Sequence, residues 1–212
     1  MIESKSTSLQ IESSYLGCVE YEKSVGIQQD LLAISQNKKS HYIMGLEHPA
    51  VLTLGYRAQL AEEVFGASLP VARSTRGGLA TVHSEGQLVI YPVLNLRELG
   101  IGVRDYVMLL LQTTQELLRR CGIESQLDDK AVGLYTQKGK IAFCGVQIKN
   151  GVSQHGLSLN VRNDLSLFSG LRACGVSHPQ FDSMAQHGST QTLQELYVEW
   201  VKIFKNQLNQ LQ

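Results

Sequence analysis

Asn150-Gly151 constrains the fold of this chain more than any other pair of residues. Both residues accept the positive φ that a type I′ turn needs, and strand-length runs flank them, so residues 140–149 and 152–161 are expected to form a two-residue hairpin. With 150 and 151 as the loop, 149 faces 152, 144 faces 157, 142 faces 159 and 140 faces 161. Alternation then predicts that Lys140, Ala142, Cys144 and Val146 share one face with Leu157, Leu159 and Val161. That face is apolar apart from one amine. Such a lysine either snorkels at a sheet edge or is held there for chemistry.

The rest of the chain supplies material for one domain around that hairpin. It has 212 residues, 43% of them hydrophobic and 18% charged, which fits a single globular α/β or α+β sandwich spanning 1–212. Residues 1–14 read as a frayed leader or an edge strand. Tyr21, Val25, Gln28 and Leu32 predict an amphipathic helix over 19–34. Two short strands, HYIMGLE and VLTLGY, bend around Glu47-His48-Pro49. Residues 87–95 form a strand in which Pro92 implies an edge position or a bulge. The stripe at 103, 106, 107, 110, 111, 117, 118 and 121 predicts a helix over 103–121, stopped by Arg119, Arg120 and Gly122. A short strand follows at 131–135. After the hairpin and a loop-rich tract from 162 to 189 comes a last helix, with Thr192 and Glu195 as its capping box.

Charge and cysteine usage exclude several classes of function. Nineteen basic and 19 acidic side chains give no net charge, so neither nucleic acid nor an anionic membrane is expected as a main partner. Cys18, Cys121, Cys144 and Cys174 are widely spaced and fit free thiols of the reducing cytoplasm. The polar start carries no secretion signal and no run of apolar residues is long enough to span a membrane, so a soluble, cytoplasmic protein is expected. The six histidines lack metal-ligand spacing, and no metal or other cofactor is expected. There is no Walker loop and no dinucleotide fingerprint.

Three stretches carry candidate chemistry. Arg76-Gly77-Gly78-Leu79-Ala80-Thr81-Val82-His83 is either a glycine bend or a loop whose bare backbone admits a ligand, with Arg76 able to hold a carboxylate or phosphate. Cys174-Gly175 lies in an aperiodic tract, where a loop thiol followed by open backbone suits nucleophilic work. Cys121 and Cys144 read instead as small buried hydrophobes. His155, on the hairpin, reads equally as a wall of the site or as a satisfied sheet histidine.

Taken together, RGGLATVHSEGQLVIYPVLNL, KIAFCGVQIKNGVSQHGLSLNV and ACGVSHPQFDSM resemble the lipoyl(octanoyl) transferase family of lipoate biosynthesis, with support from residues 21–28 and Glu47-His48-Pro49. The resemblance implies the fold of biotin and lipoate ligases, with a larger mixed sheet, a smaller sheet and flanking helices. It also implies transfer of an octanoyl group from octanoyl-acyl carrier protein to a lysine of lipoyl domains, those of 2-oxoacid dehydrogenases and the glycine cleavage H protein, without a cofactor. Cys174 would be the nucleophile that carries the acyl thioester, and Lys140 would support its thiolate. Arg76, Gly77, Gly78, Leu79, Ala80, Thr81, Val82 and His83 would line the substrate channel together with Phe143, Cys144, Gly145, Gly156, Leu157 and Ser158. Glu85, Ala173 and Asp182 depart from the family's usual proline, proline and threonine. An ATP-dependent lipoate or biotin ligase, or a non-catalytic acyl-binding domain, would share the fold.

Overall fold

The structure, a computed structural model, describes residues 10–38, 40–59, 69–128, 132–169, 171 and 180–211. Its elements are β1 (Ile11–Cys18), α1 (Tyr21–Lys38), β2 (His41–Glu47), β3 (Val51–Leu54), β4 (Val71–Arg73), β5 (Ala80–His83), β6 (Gln87–Val93), α2 (Leu96–Leu99), α3 (Val103–Arg120), β7 (Gln126–Leu127), β8 (Gly133–Thr136), β9 (Gly139–Lys149), β10 (Val152–Asn160) and α4 (Leu193–Gln210). Seven strands form a mixed sheet in the order β1-β2-β6-β10-β9-β8-β7, and β4-β3-β5 form a small second sheet.

Period-two alternation along the central strands decides which helix covers which face. Leu88 and Ile90 of β6 enter the core built with Tyr106, Leu110, Leu117, Trp200 and Phe204, so α3 and α4 lie on that side. Val89, Tyr91 and Val93 point the other way and meet Met44, Leu46 and Leu32, so α1 covers the opposite face. Both faces of β6 are buried along its whole length, which is why its sequence reads as a continuous apolar run. The helix expected over 19–34 spans 21–38, and α3 stops as expected, with Gly122 at φ 75° past its end. Thr192 and Glu195 form the reciprocal capping box of α4.

Pro92 does not mark an edge. β6 is the third of seven strands, paired with β2 on one side and β10 on the other. The β10 ladder ends at the Leu157–Ile90 pair, so the missing N–H of Pro92 leaves no ladder bond unmade there. Its carbonyl accepts from Ser153 Oγ at 2.8 Å, which closes the irregular stretch. Among the described residues no helix is long and apolar enough to cross a membrane.

Candidate functional site

The hairpin forms with its expected turn and most of its expected register. Asn150 and Gly151 take φ of 53° and 85°, and Val152, Leu157 and Leu159 face Lys149, Cys144 and Ala142. The expected 140–161 pair is absent, because β10 ends at Asn160 and Lys140 bridges Phe181 in parallel. The backbone N–H of Lys140 donates to Gln180 O at 2.9 Å, and its carbonyl accepts from Asp182 N–H at 3.0 Å.

A bulge also overturns the expected face of Lys140. Leu134 and Tyr135 of β8 pair with Ala142 and Lys140, so Ile141 is an extra residue on β9. The extra residue resets the alternation: Ile141 and Ala142 both enter the main core, and Lys140 turns to the side of Phe143. Its Nζ lies 4.9 Å from the Phe143 ring centre and 5.2 Å from that of Tyr135, and donates to Val132 O at 3.2 Å. Gly133 leaves room for this path, since a Cβ there would sit 2.5 Å from Lys140 Cε.

The Arg76-Gly77-Gly78 loop is folded onto both sheets. Gly77 N–H donates to Val146 O at 3.0 Å, while Arg76 O and Gly78 O accept from Tyr56 and Arg57 N–H. The buried Arg76 guanidinium donates to Thr53 O at 2.7 Å, to Thr53 Oγ1 at 2.9 and 3.3 Å, and to Gly77 O at 3.2 Å. Arg76, expected as an anion clamp, thus spends donors on shaping the loop, and the N–H of Gly77 is committed to β9. Gly78, at φ 92°, needs its freedom from a side chain.

Between this loop, β9 and β10 lies a cavity of about 500 Å³. Arg76, Gly77, Gly78, Leu79, Ala80, Thr81 and His83 line it, with Lys140, Phe143, Cys144, Gly145, Gly156, Leu157 and Ser158. Val82 does not, because strand alternation in β5 sends it into the cluster with Leu52, Leu54 and Phe168. Sequence reasoning missed Val89, Tyr91, Val107, Tyr135 and Phe181 on the wall. The first two were within reach, since Val89 pairs with Ser158 once β6 is set beside β10. Cys144 is a wall residue whose thiol burial pushes up to about 12 against the pull of Lys140. Cys174 and Ala173 lie outside the described residues.

A cluster of rings contributed by distant segments runs back from His83 and Tyr91 of the wall. His48 stands edge-on to Tyr21 and His83, with ring centres 5.4 and 5.5 Å away, and Tyr91 stands edge-on to His155 at 6.1 Å. Burial is the main cause that lowers all three imidazoles: His48 to about 4, His83 to about 3 and His155 to about 4, with Arg76 adding to the effect at His83 and His155. His155 does not line the cavity. Its φ is 56°, its N–H donates to Gln28 Oε1 at 2.6 Å, and its Nε2 donates to Thr75 Oγ1 at 3.1 Å, because that hydroxyl donates onward to Gln147 Oε1 at 2.6 Å. It therefore ties β10 to the segment that leads into Arg76. Asp182 is buried and takes bonds from Thr136 Oγ1, from His187 Nε2 at 2.6 Å and from Ser183 N–H at 2.8 Å.

The two-sheet architecture defines the class. An archaeal bipartite lipoate protein ligase from Thermoplasma acidophilum, solved in work that includes its E2 lipoyl domain, superposes with a TM-score of 0.73 at 14% identity, covering 94% of this chain and 85% of that one. A lipoate-protein ligase A bound with ATP gives 0.72 at 16%, covering 94% and 85%. Biotin protein ligase from Aquifex aeolicus gives 0.54 at 12%, covering 95% and 70%. The fold is thus that of the lipoate and biotin ligases, with the larger mixed sheet, smaller sheet and flanking helices expected from the sequence.

Within that class the chain belongs to the lipoyl protein ligase A/B catalytic domain family, whose model matches residues 20–205. Its relatives include proteins named octanoyltransferase from Dechloromonas aromatica, 39% identical over 76% of this chain and 79% of that one, and from Halorhodospira halophila, 35% identical over 89% and 87%.

Proposed function

We propose that the chain, as one catalytic domain spanning 1–212, is a cytoplasmic octanoyltransferase that acts through a thioester on Cys174. The thiolate attacks the carbonyl of octanoyl-acyl carrier protein, the bond from the acyl carbon to the carrier's sulfur breaks, and the carrier leaves as a thiolate that takes a proton from water. The ε-amine of a lysine in a lipoyl domain, of a 2-oxoacid dehydrogenase or the H protein, then attacks the acyl-enzyme. It loses a proton, and the Cys174 thiolate leaves. The octanoyltransferase names of the relatives support the reaction, and the ligase studied with its E2 lipoyl domain supports the kind of acceptor.

The observation that carries this reading is the amine of Lys140, the one lysine among the described lining residues, set by a β-bulge into a largely apolar cavity. A free thiol has a pKa near 8.5, so only about 3% is thiolate at pH 7, and a cation that lowers it by two units makes thiolate the major form. That shift is worth about 2.7 kcal/mol. Intact mass after mixing with octanoyl-acyl carrier protein should show one octanoyl adduct without ATP, absent in Cys174→Ala. Lys140→Met should slow alkylation of Cys174 at pH 7. Normal turnover by Cys174→Ala, or a requirement for ATP, would sink the proposal.

A further inference from the structure

The ring of His83 is the end of a chain of buried amides whose directions follow from one another. Asp182 O is a backbone carbonyl and only accepts, so Asn160 must present Nδ2 to it, at 2.9 Å. That turns Asn160 Oδ1 toward Gln87, whose Nε2 donates to it at 2.9 Å, and Asn163 Nδ2 donates to the same oxygen at 3.2 Å. The Nε2 of Gln87 is placed a second time by Val82 O, a carbonyl 3.5 Å away. Gln87 Oε1 is therefore the end that meets His83 Nδ1, at 2.6 Å. An amide oxygen cannot donate, so Nδ1 carries the ring proton and Nε2 the lone pair. Asn160 and Gln87 are fully buried and His83 nearly so, which leaves water little chance to substitute for any link.

His83 also lines the cavity, and no described residue bonds its Nε2. The cavity that it lines is walled in large part by carbon, with Val89, Phe143, Leu157 and Phe181 among the lining residues. A lone pair held toward such a space selects an N–H or O–H donor. We propose that the Asp182–Asn160–Gln87 relay locks His83 as its Nδ1–H tautomer so that Nε2 accepts an N–H of the attacking lysine amine and aims the amine's own lone pair at the acyl carbon. This rests on the transferase reading above. Asn160 and Gln87 are then positioning residues. The relay starts at Asp182, next to the residue that bridges Lys140, so the same short segment sets the amine-facing imidazole and the backbone of Lys140.

The role is orientation and not storage of the proton. Among the described residues, the groups that face His83 are Tyr21 from α1, His48 beyond β2, Arg76 before β5, Gln87 from β6 and His155 from β10, and no carboxylate is among them. A buried ring beside a guanidinium stays neutral through the working pH range. It thus remains an acceptor and is too weak a base to keep the proton that the amine releases.

The test begins with the tautomer in the unaltered full-length protein, read from long-range proton–nitrogen spectra of ¹⁵N-histidine-labelled material, with the His83 signals assigned by their loss in His83→Gln. The expected pattern is protonated Nδ1 and bare Nε2; protonated Nε2 would overturn the relay. Single-turnover kinetics then separate acylation by octanoyl-pantetheine from transfer to a lipoyl domain. Asparagine can keep the donor to Gln87 but lacks an acceptor at the Nε2 position, whereas glutamine reaches that position. His83→Asn should therefore lower the ratio of amine transfer to acylation about tenfold or more, and His83→Gln by less. Gln87→Leu should act like His83→Asn, and Gln87→Glu, which restores an acceptor for Nδ1–H, should recover part of the loss. Equal slowing of both steps would mean that the ring serves the donor's pantetheine amide or the fold, and would overturn the amine role. No acyl-enzyme in the unaltered protein, with the Nδ1 proton still seen, would refute the transferase reading and the amine role together while leaving the tautomer lock standing.

Discussion

Acidification from pH 7 to pH 5 should remove about 6 kcal/mol of folding stability through His48, His83 and His155. In the unfolded chain each imidazole titrates near 6.5, so at pH 5 all three are charged. In the folded protein their values are about 4, 3 and 4, and all three are neutral. Each difference acts over about 1.5 pH units at 1.36 kcal/mol per unit, or about 2 kcal/mol per ring. Folded values below unfolded ones mean that the stability is present above 6.5 and is lost as pH falls through the window from 6.5 to about 4, with His83 extending it to about 3. Near pH 5 the unfolded state binds almost three more protons, a slope of about 4 kcal/mol per pH unit. Against a typical total of about 5–15 kcal/mol, that is enough for cooperative unfolding close to pH 5. Urea titrations at half-unit pH intervals should show falling midpoints at constant m. His48→Gln, whose ring spans Val19 O and Tyr91 OH outside the cavity wall, should cut the slope by about one third whatever it does to stability at pH 7. Uptake of less than one proton between pH 6.5 and 5, or an unchanged slope in that variant, would refute the reasoning.

Arg76→Met should lower the melting temperature by about 4–16 °C, since stranding the buried Thr53 and Gly77 acceptors costs about 2–4 kcal/mol and each kcal/mol is about 2–4 °C at this size; an unchanged melting temperature with weakened donor binding would restore the anion-clamp reading. Cys144, its thiol pushed up to about 12, should resist iodoacetamide at pH 8 in the native protein while exposed Cys18 reacts. Peptide mass mapping decides it, and labelling of Cys144 at a rate like that of Cys18 would mean that burial does not suppress the thiol.

What the sequence made legible was local. Asn150-Gly151 carries its own turn geometry, so the pairs from 149–152 to 142–159 follow by counting, and Thr192-Glu195 carries its own cap. Counting fails at Ile141, because a bulge has no signature when the strand on either side is equally apolar. Pro92 misled for a related reason: a missing N–H excludes a ladder bond, not a central position, and β10 ends its ladder two residues earlier. The loop of Arg76 was visible as a glycine pair, but Thr53, which takes its guanidinium, lies 23 residues earlier, on the strand β3 that runs between β4 and β5. His48, His83 and His155 share no spacing and no motif. His48 and His83 meet because β3 pairs with β5, and His155 joins them across Tyr91 of β6, while the ring protons depend on hydrogen-bond partners that sequence cannot orient.

The arrangement around Lys140 separates chemistry from scaffolding. Its peptide group holds residues 180 and 182 by two backbone bonds, and any side chain at 140 keeps both. Residues 180–182 are thus tied to β9 by main chain, and Asp182 fastens them further through Thr136 and His187. The amine adds a bond to Val132 O and two ring contacts, together worth about 1–2 kcal/mol for a partly exposed group. Gly139 works the other way: a Cβ there would lie 2.5 Å from Gln180 C and O, pushing residues 180 and 181 while leaving the amine in place. Loss of transfer on replacing Lys140 therefore reports on its charge, and loss on replacing Gly139 reports on the position of residues 180 and 181.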